Sequence, residues 1–205
     1  MDTDISTPET LLSLSLGLGL AAACGFRVFV PLLLMSVAAL TGHLELADSL
    51  AWIGTWPALT VFAVATLLEI GAYYVPWLDN FLDGVGVPAA VIAGTVVTAS
   101  AVVGMDPMLK WTLAVIAGGG VAGIVHGGMA AVRGLSSLTT GGTANPLVST
   151  AEAGGSLTLS ALAVMIPFAG AALVALLLVA GVAVIRRWRT RRGRAQGPRP
   201  TVVVT

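Results

Sequence analysis

Long apolar segments alternate with short polar segments along most of the chain. A helix needs about 20 apolar residues to cross a bilayer. Six segments approach or exceed this length: 11–40, 57–74, 87–103, 111–132, 145–167 and 168–185. This pattern predicts an all-α, polytopic membrane helical bundle of about six spans, with some broken or irregular helices.

The first apolar segment, 11–40, is longer than one crossing requires. The excess indicates a tilted helix, a break near Gly25, or a continuation into the interface. Pro31 has no amide hydrogen to bond the carbonyl of Arg27, so a kink is expected between these two residues.

The remaining segments set the expected domain boundaries. Residues 41–55 and 77–84 have the polar and aromatic residues of short helices that lie in the membrane interface. Residues 1–10 form an N-terminal segment and residues 11–187 a single transmembrane domain. Residues 188–205 form a basic tail that is expected to be disordered and cytoplasmic.

Composition and charge agree with a membrane protein. The chain is 57% hydrophobic and 10% charged, and soluble domains carry about 25% charged residues. Because its one basic cluster directly follows an apolar span, the cluster is interpreted as a topology anchor and nucleic-acid binding is not expected. The single cysteine, Cys24, excludes an intramolecular disulfide and a cysteine-rich metal site. No motif indicates a cofactor.

The basic residues also predict an orientation. Seven of the ten lie after position 185, and positively charged segments stay in the cytoplasm. With six spans, both termini would be cytoplasmic in a bacterial inner membrane. Arg133 would lie on the cytoplasmic link between spans 4 and 5, whereas Lys110 would lie outside, against the rule.

Two stripes of small residues recur at every fourth position and resemble a glycine zipper. Small residues at this spacing allow membrane helices to approach closely. The stripes predict helix packing, and a homo-oligomer would be one use of them. Three spans in each half, each half with one stripe, are compatible with a 3+3 inverted repeat. The stripe residues are Gly17, Ala21, Gly25, Gly119, Gly123 and Gly127.

Three ionisable residues on three predicted spans fall in one layer of the bundle: Glu69, His126 and Glu152. At about 1.5 Å per residue, all three lie about 9–10 Å from the cytoplasmic ends of their spans. Such groups are costly in lipid and therefore indicate a functional site, here for a proton or cation. The alternative is that the carboxyls are neutral or bonded to neighbouring hydroxyls and only fix helix register. If Glu152 is a coupling residue, Glu152→Gln would preserve folding and abolish pH-dependent flux.

Two further features belong to the candidate site: Arg27, inside the first span, and the polar link before span 5. Arg27 would either bind an anion, pair with a carboxylate such as Glu69, or extend towards the interface. The link 136–149 is rich in serine and threonine and leads to Asn145, the expected cap of span 5, and to Ser149. The amide-rich start of a helix is an anion site, but an ordinary well-capped loop explains the same residues.

The segments GLGLAAACGFRVFVPLL, TLLEIGAYYVPWLDN and GGTANPLVSTAE resemble an uncharacterised bacterial membrane-protein family, domain of unknown function 4126. The resemblance covers residues 11–187. It implies an integral membrane location and draws attention to Arg27, Glu69, Asp79 and the region 145–152. It implies no activity, substrate or cofactor.

These observations predict a secondary transporter or channel for a small solute or ion, with a site formed by Glu152, Glu69, Arg27, His126, Asn145 and Ser149. A non-transporting scaffold, whose glycine stripes bind partners, is the main alternative. An intramembrane enzyme acting on lipid is a third, although no catalytic serine–histidine pair is recognisable. Beyond the lipid bilayer itself, the sequence names no partner.

Overall fold

A computed structural model describes residues 8–72 and 75–195, without the side chains of 76–81, 83, 184–185 and 188–195. Within these ranges the chain is helical and has no strand. A 3-10 helix, Asp48–Gly54, precedes α3, and a π-helical segment, Ala114–Gly119, joins α5 to α6. The α-helices are α1 Pro8–Phe26, α2 Phe29–Leu40, α3 Trp56–Ala72, α4 Pro76–Ala101, α5 Pro107–Leu113, α6 Gly120–Thr140, α7 Asn145–Met165 and α8 Pro167–Ala195.

The helix ends follow from local sequence. Asp106 caps α5 by accepting hydrogen bonds from the amides of Met108 and Leu109, and Pro107 follows it at the first helical position. Gly141 ends α6 with a positive φ of 63°, a conformation that glycine adopts without strain. The prediction that Asn145 caps α7 is wrong: Ala144 is the N-cap, and the Asn145 side chain donates to Ser137 Oγ at 3.0 Å.

Four helical segments are long and apolar enough to cross a membrane: Pro8–Phe26, Gly84–Ala101, Pro107–Thr140 and Asn145–Met165. The 3-10 helix and α3, which meet at a 64° bend, would together form a fifth. α2 and Pro167–Ala183 are shorter apolar helices. These helices indicate a multi-pass membrane protein. The count of six spans and the inverted repeat remain predictions.

Several helices are longer than the apolar segments indicated. α4 runs without a break through the expected interfacial turn at 77–84 and through Pro88. α6 continues past Val132 to Thr140, and α8 continues past Ile185 to Ala195, so part of the expected disordered tail is helical. Residues 196–205 and the first seven residues lie outside the described part of the chain.

α1 and α7 run antiparallel, and the second half of α1 is in contact with most of α7. Ser156 Oγ donates to the Ala23 carbonyl at 2.9 Å, and Arg27 donates to the Ser149 carbonyl at 2.8 Å. At the other end, a Cβ placed on Gly19 would lie 2.6 Å from the Ala163 Cβ. The middle of α1 therefore lies beside the end of α7, and Arg27, just after the end of α1, lies beside the first turns of α7.

The first predicted span is two helices that form a hairpin. After the break at residues 27–28, α2 returns towards the level of Gly17, in the middle of α1. Three hydrogen bonds connect this end of α2 to α1 through neighbouring elements. Ser36 Oγ of α2 donates to the Ile53 carbonyl of the 3-10 helix, and Ala47 N, just before that helix, donates to the Ser100 carbonyl of α4. One turn away on α4, Thr98 Oγ1 donates to the Gly17 carbonyl of α1. The hairpin tip, Arg27–Val28, contacts α7 near Glu152, which lies about 10 Å inside that helix at 1.5 Å per residue.

This hairpin changes the relative position of the chain ends. α8 runs parallel to α1, because Gly170 lies near Gly19 and Val174 packs in one cluster with Ala22 and Ala23. The beginning of α1 and the arginine-rich end of α8 therefore lie at opposite ends of the bundle. The six-span prediction instead placed both ends of the chain on one face.

The small-residue stripes pack against several helices. Gly119 and Gly123 lie against Val91 of α4, but Gly127 is exposed, and a Cβ placed on it would meet no described atom within 4 Å. Gly17 lies against Thr98 of α4, Ala21 is buried, and Gly25 lies against α6. α1 is thus enclosed by α4, α6, α7 and α8, and the two stripes do not form one shared contact.

Candidate functional site

The hairpin tip carries a buried cluster of charged side chains. Arg27, Arg133 and Glu152 are 1%, 2% and 1% exposed. Arg27 Nη2 lies 3.4 Å from Glu152 Oε2, and Arg133 Nε lies 3.1 Å from Glu152 Oε1. One carboxylate of α7 therefore joins the tip of the hairpin to α6.

Arg27 makes further contacts with the first turns of α7. Its Nη2 donates to the Ser149 carbonyl at 2.8 Å and to Ser149 Oγ at 2.5 Å. Ser149 and Glu152 are three residues apart, so they share one face of the helix. The guanidinium is thus held by a carbonyl, a hydroxyl and a carboxylate of α7, which suits its several donors.

Glu69 approaches the hairpin tip from the other side. Its carboxylate accepts from the amides of Val28 at 2.7 Å and Phe29 at 3.1 Å. The first amides of a helix have no partner within that helix and favour a negative group. The N-cap of α2, Val28, has no capping side chain of its own, so a carboxylate from α3 supplies the cap.

His126 lies next to this cluster. Its Nδ1 is 3.1 Å from the Gly25 carbonyl, and its ring is buried. A Cβ on Gly86 of α4 would overlap the imidazole ring, so the histidine occupies space that only a glycine leaves open. The imidazole therefore links α6 to the last turn of α1 and packs on α4.

The structure thus brings together five of the six residues proposed from sequence: Arg27, Glu69, His126, Ser149 and Glu152. Asn145 is apart from them, bonded to Ser137. The side chain of Asp79 lies outside the described residues. Arg27 pairs with Glu152, and the two carboxylates contact neighbouring residues of one hairpin tip.

Arg133 belongs to the site although the sequence pattern assigns it to a cytoplasmic link. The apolar segment ends at Val132, which places the next residue outside the predicted span. The available signal is spacing: Arg133 follows His126 by seven residues, two helical turns, and so lies on the same face. A helix that continues past Val132 places both side chains towards the core.

The arrangement holds charge inside an apolar bundle without any recognisable metal site. No cluster of three or more potential ligands from histidine, cysteine, aspartate or glutamate occurs among the described residues. Paired charges and helix-end contacts lower the cost of burial. Each carboxylate contacts a different part of the hairpin tip: Glu69 accepts from the amides of Val28 and Phe29, and Glu152 pairs with the Arg27 side chain.

Fold and site together define a multi-pass helical membrane protein built around a buried, charged hairpin tip. The chain matches the family described as Domain of unknown function (DUF4126) over residues 14–187 and belongs to that family. No match was found among curated proteins or among solved structures.

Proposed function

We propose that this protein is a small secondary transporter or channel for a small solute or ion, located in a bacterial cytoplasmic membrane. The observation that carries the proposal is the α1–α2 hairpin, whose tip is held inside the bundle by Glu69 on one side and Glu152 on the other. The site is the tip with its surrounding charged and polar groups.

Two physical arguments support this proposal. Non-helical backbone at membrane depth is tolerated where it is buried in protein or lines a cavity, and discontinuous helices commonly form the sites of transporters. Charged side chains within spans are also expensive and mark pathways for ions or solutes.

The proposal is tested by flux through the purified protein in liposomes. We expect the wild-type protein to dissipate an imposed pH gradient, read with an internal pH dye, faster than protein-free liposomes do. Glu69→Gln should reduce this flux, because the Glu69 carboxylate contacts the hairpin tip through the backbone amides of Val28 and Phe29. Glu45→Gln, the same change on an exposed loop, is the matched control. Flux at the protein-free rate for protons, Na⁺, K⁺ and Cl⁻ would contradict transport of these ions.

A second prediction concerns orientation. With the arginine-rich end of α8 in the cytoplasm, we expect both the start of α1 and the loop after α2 on the outer face, because α1 and α2 form a hairpin. Single cysteines at Glu9 and Glu45, on a Cys24→Ser background, should both react with an impermeant thiol reagent added to intact cells. A cysteine at Thr143 should react only after lysis. Labelling of Glu9→Cys and Glu45→Cys from opposite faces would support the six-span topology instead.

A scaffold remains the second candidate, because α6 exposes glycines to its surroundings. A Cβ placed on Gly127, Gly128 or Gly134 would meet no described atom within 4 Å. An exposed small-residue face on a membrane helix can bind another helix closely. On this alternative, leucine at Gly127 and Gly128 would disrupt an assembly, and the wild-type protein would carry no flux in the liposome assay.

A further inference from the structure

The face of α7 that meets α1 carries a continuous row of buried polar side chains. Ser149, Glu152, Ser156 and Ser160 are spaced by three or four residues and lie on one side of the helix. At 1.5 Å per residue the row extends about 16 Å along α7. It begins at the hairpin tip and leads towards the opposite end of the bundle.

Three of these four side chains have a hydrogen-bond or ion-pair partner that accounts for their burial. Ser149 and Glu152 bind Arg27, and Ser156 donates to the Ala23 carbonyl at 2.9 Å. The fourth differs. Ser160 is 0% exposed, and its hydroxyl has no hydrogen-bond partner among the described residues.

Among the described residues, Ser160 shares this property with Thr66 and Ser136 only, and it alone of the three lies on the α1–α7 contact. Buried hydroxyls commonly bond the carbonyl one turn earlier in their own helix, as Thr98 does to Gly94 and Ser100 does to Val96. Leaving such a group without a partner is costly, and the usual explanation is a role in binding or an ordered water.

The row ends at a close helix contact one turn beyond Ser160. Cβ atoms placed on Gly19 and Gly170 would lie 2.6 Å from the Ala163 Cβ and 2.9 Å from the Ala163 Cα, respectively. The backbones of α1, α7 and α8 therefore meet there, and no room remains for a bulky solute. The row itself is buried between helices and carries serine hydroxyls, so a species that passes from Glu152 to Ser160 must be small and able to form hydrogen bonds.

We infer that the α1–α7 seam is a water path in the working protein and that Ser160 is a water-binding residue on it. This inference rests on the proposed transport function and specifies its route. Water enters between α1 and α7 from the hairpin tip, and its hydrogen bonds satisfy the Ser160 hydroxyl. The Gly19–Ala163 contact closes the path at its far end.

The first test is the reactivity of a cysteine in the seam. On a Cys24→Ser background in liposomes, Ser160→Cys should react with a small charged methanethiosulfonate. Its matched control is Ser36→Cys, also 0% exposed, whose hydroxyl bonds the Ile53 carbonyl at 2.7 Å. We expect Ser160→Cys to react at least about tenfold faster, a difference in opening free energy of about 1.4 kcal/mol. Equal rates, or no reaction at position 160, would overturn the inference.

The second test uses alanine, which fits both positions. Ser36→Ala should lower the melting temperature because it removes a buried hydrogen bond between protein groups, whereas Ser160→Ala should lower it less or leave it unchanged, because the water that it releases regains its hydrogen bonds in bulk solvent. An equal loss at both positions would mean that Ser160 has a structural partner, and the inference fails. Both readouts are independent of flux. If Ser160→Cys reacts but the protein carries no flux, the transport function is refuted and the water path is not. If the protein carries flux but Ser160→Cys does not react, the water path is refuted and the transport function is not.

Discussion

Glu152→Gln is expected to destabilise the folded protein by about 3–5 kcal/mol, the usual cost of removing one partner from a buried ion pair. Glu152 is 1% exposed and lies 3.4 Å from Arg27 and 3.1 Å from Arg133. A glutamine is neutral, so both buried guanidiniums would lose their interaction with this charge. Sequence alone predicts the opposite, a well-folded Glu152→Gln protein, because it places neither arginine beside the carboxylate.

The measurement is thermal unfolding of the detergent-purified protein. Glu45→Gln makes the same chemical change at an exposed position and should leave the melting temperature unchanged. Glu152→Asp keeps the charge and should retain more stability than Glu152→Gln. If Glu152→Gln unfolds at the wild-type temperature, the carboxylate is not the charged link between α1, α6 and α7.

Gly25→Ala is expected to cost about 1–3 kcal/mol, the typical penalty for overpacking a filled core. A Cβ at this position would lie 2.5 Å from the Val125 Cβ and 2.7 Å from the Ala122 carbonyl oxygen. A backbone carbonyl cannot rotate away as a flexible side chain does, so α1 and α6 must separate. This separation would also disturb the His126 contact with the Gly25 carbonyl.

The matched control for this change is Gly127→Ala on α6. Gly127 is exposed and a Cβ there would meet no described atom within 4 Å. Alanine is favoured over glycine within a helix by roughly 0.5–1 kcal/mol, so this variant should be as stable as the wild type or slightly more stable. Equal melting temperatures for Gly25→Ala and Gly127→Ala would contradict the close contact of α1 with α6.

Much of the candidate site can be predicted from the sequence, because a charged side chain in an apolar span is costly to bury whichever helices that span packs against. Glu69, Glu152, His126 and Arg27 stand out on this ground alone. Their partners are not visible, because each contact joins residues far apart in the chain. Arg27 and Ser149, for example, meet only when α1 and α7 pack antiparallel. Arg133 is not predicted as a site residue because the apolar segment ends at Val132, although the helix itself continues to Thr140.

Hydropathy and local chemistry by themselves determined the class of this protein: an all-helical membrane protein with a polar link before Asn145. These properties depend on near neighbours in the chain, through apolar length and the backbone limits of proline and glycine.

Only the tertiary structure decided that the first long segment turns back as a hairpin. A 30-residue apolar segment is compatible with a tilted span, a kinked span or a hairpin. Here the carboxylate of Glu69 caps the second helix at the turn, and Glu152 binds the arginine before it. The direction of α2 is therefore set by groups at least 40 residues away in the chain, and hydropathy carries no information about contacts at that separation.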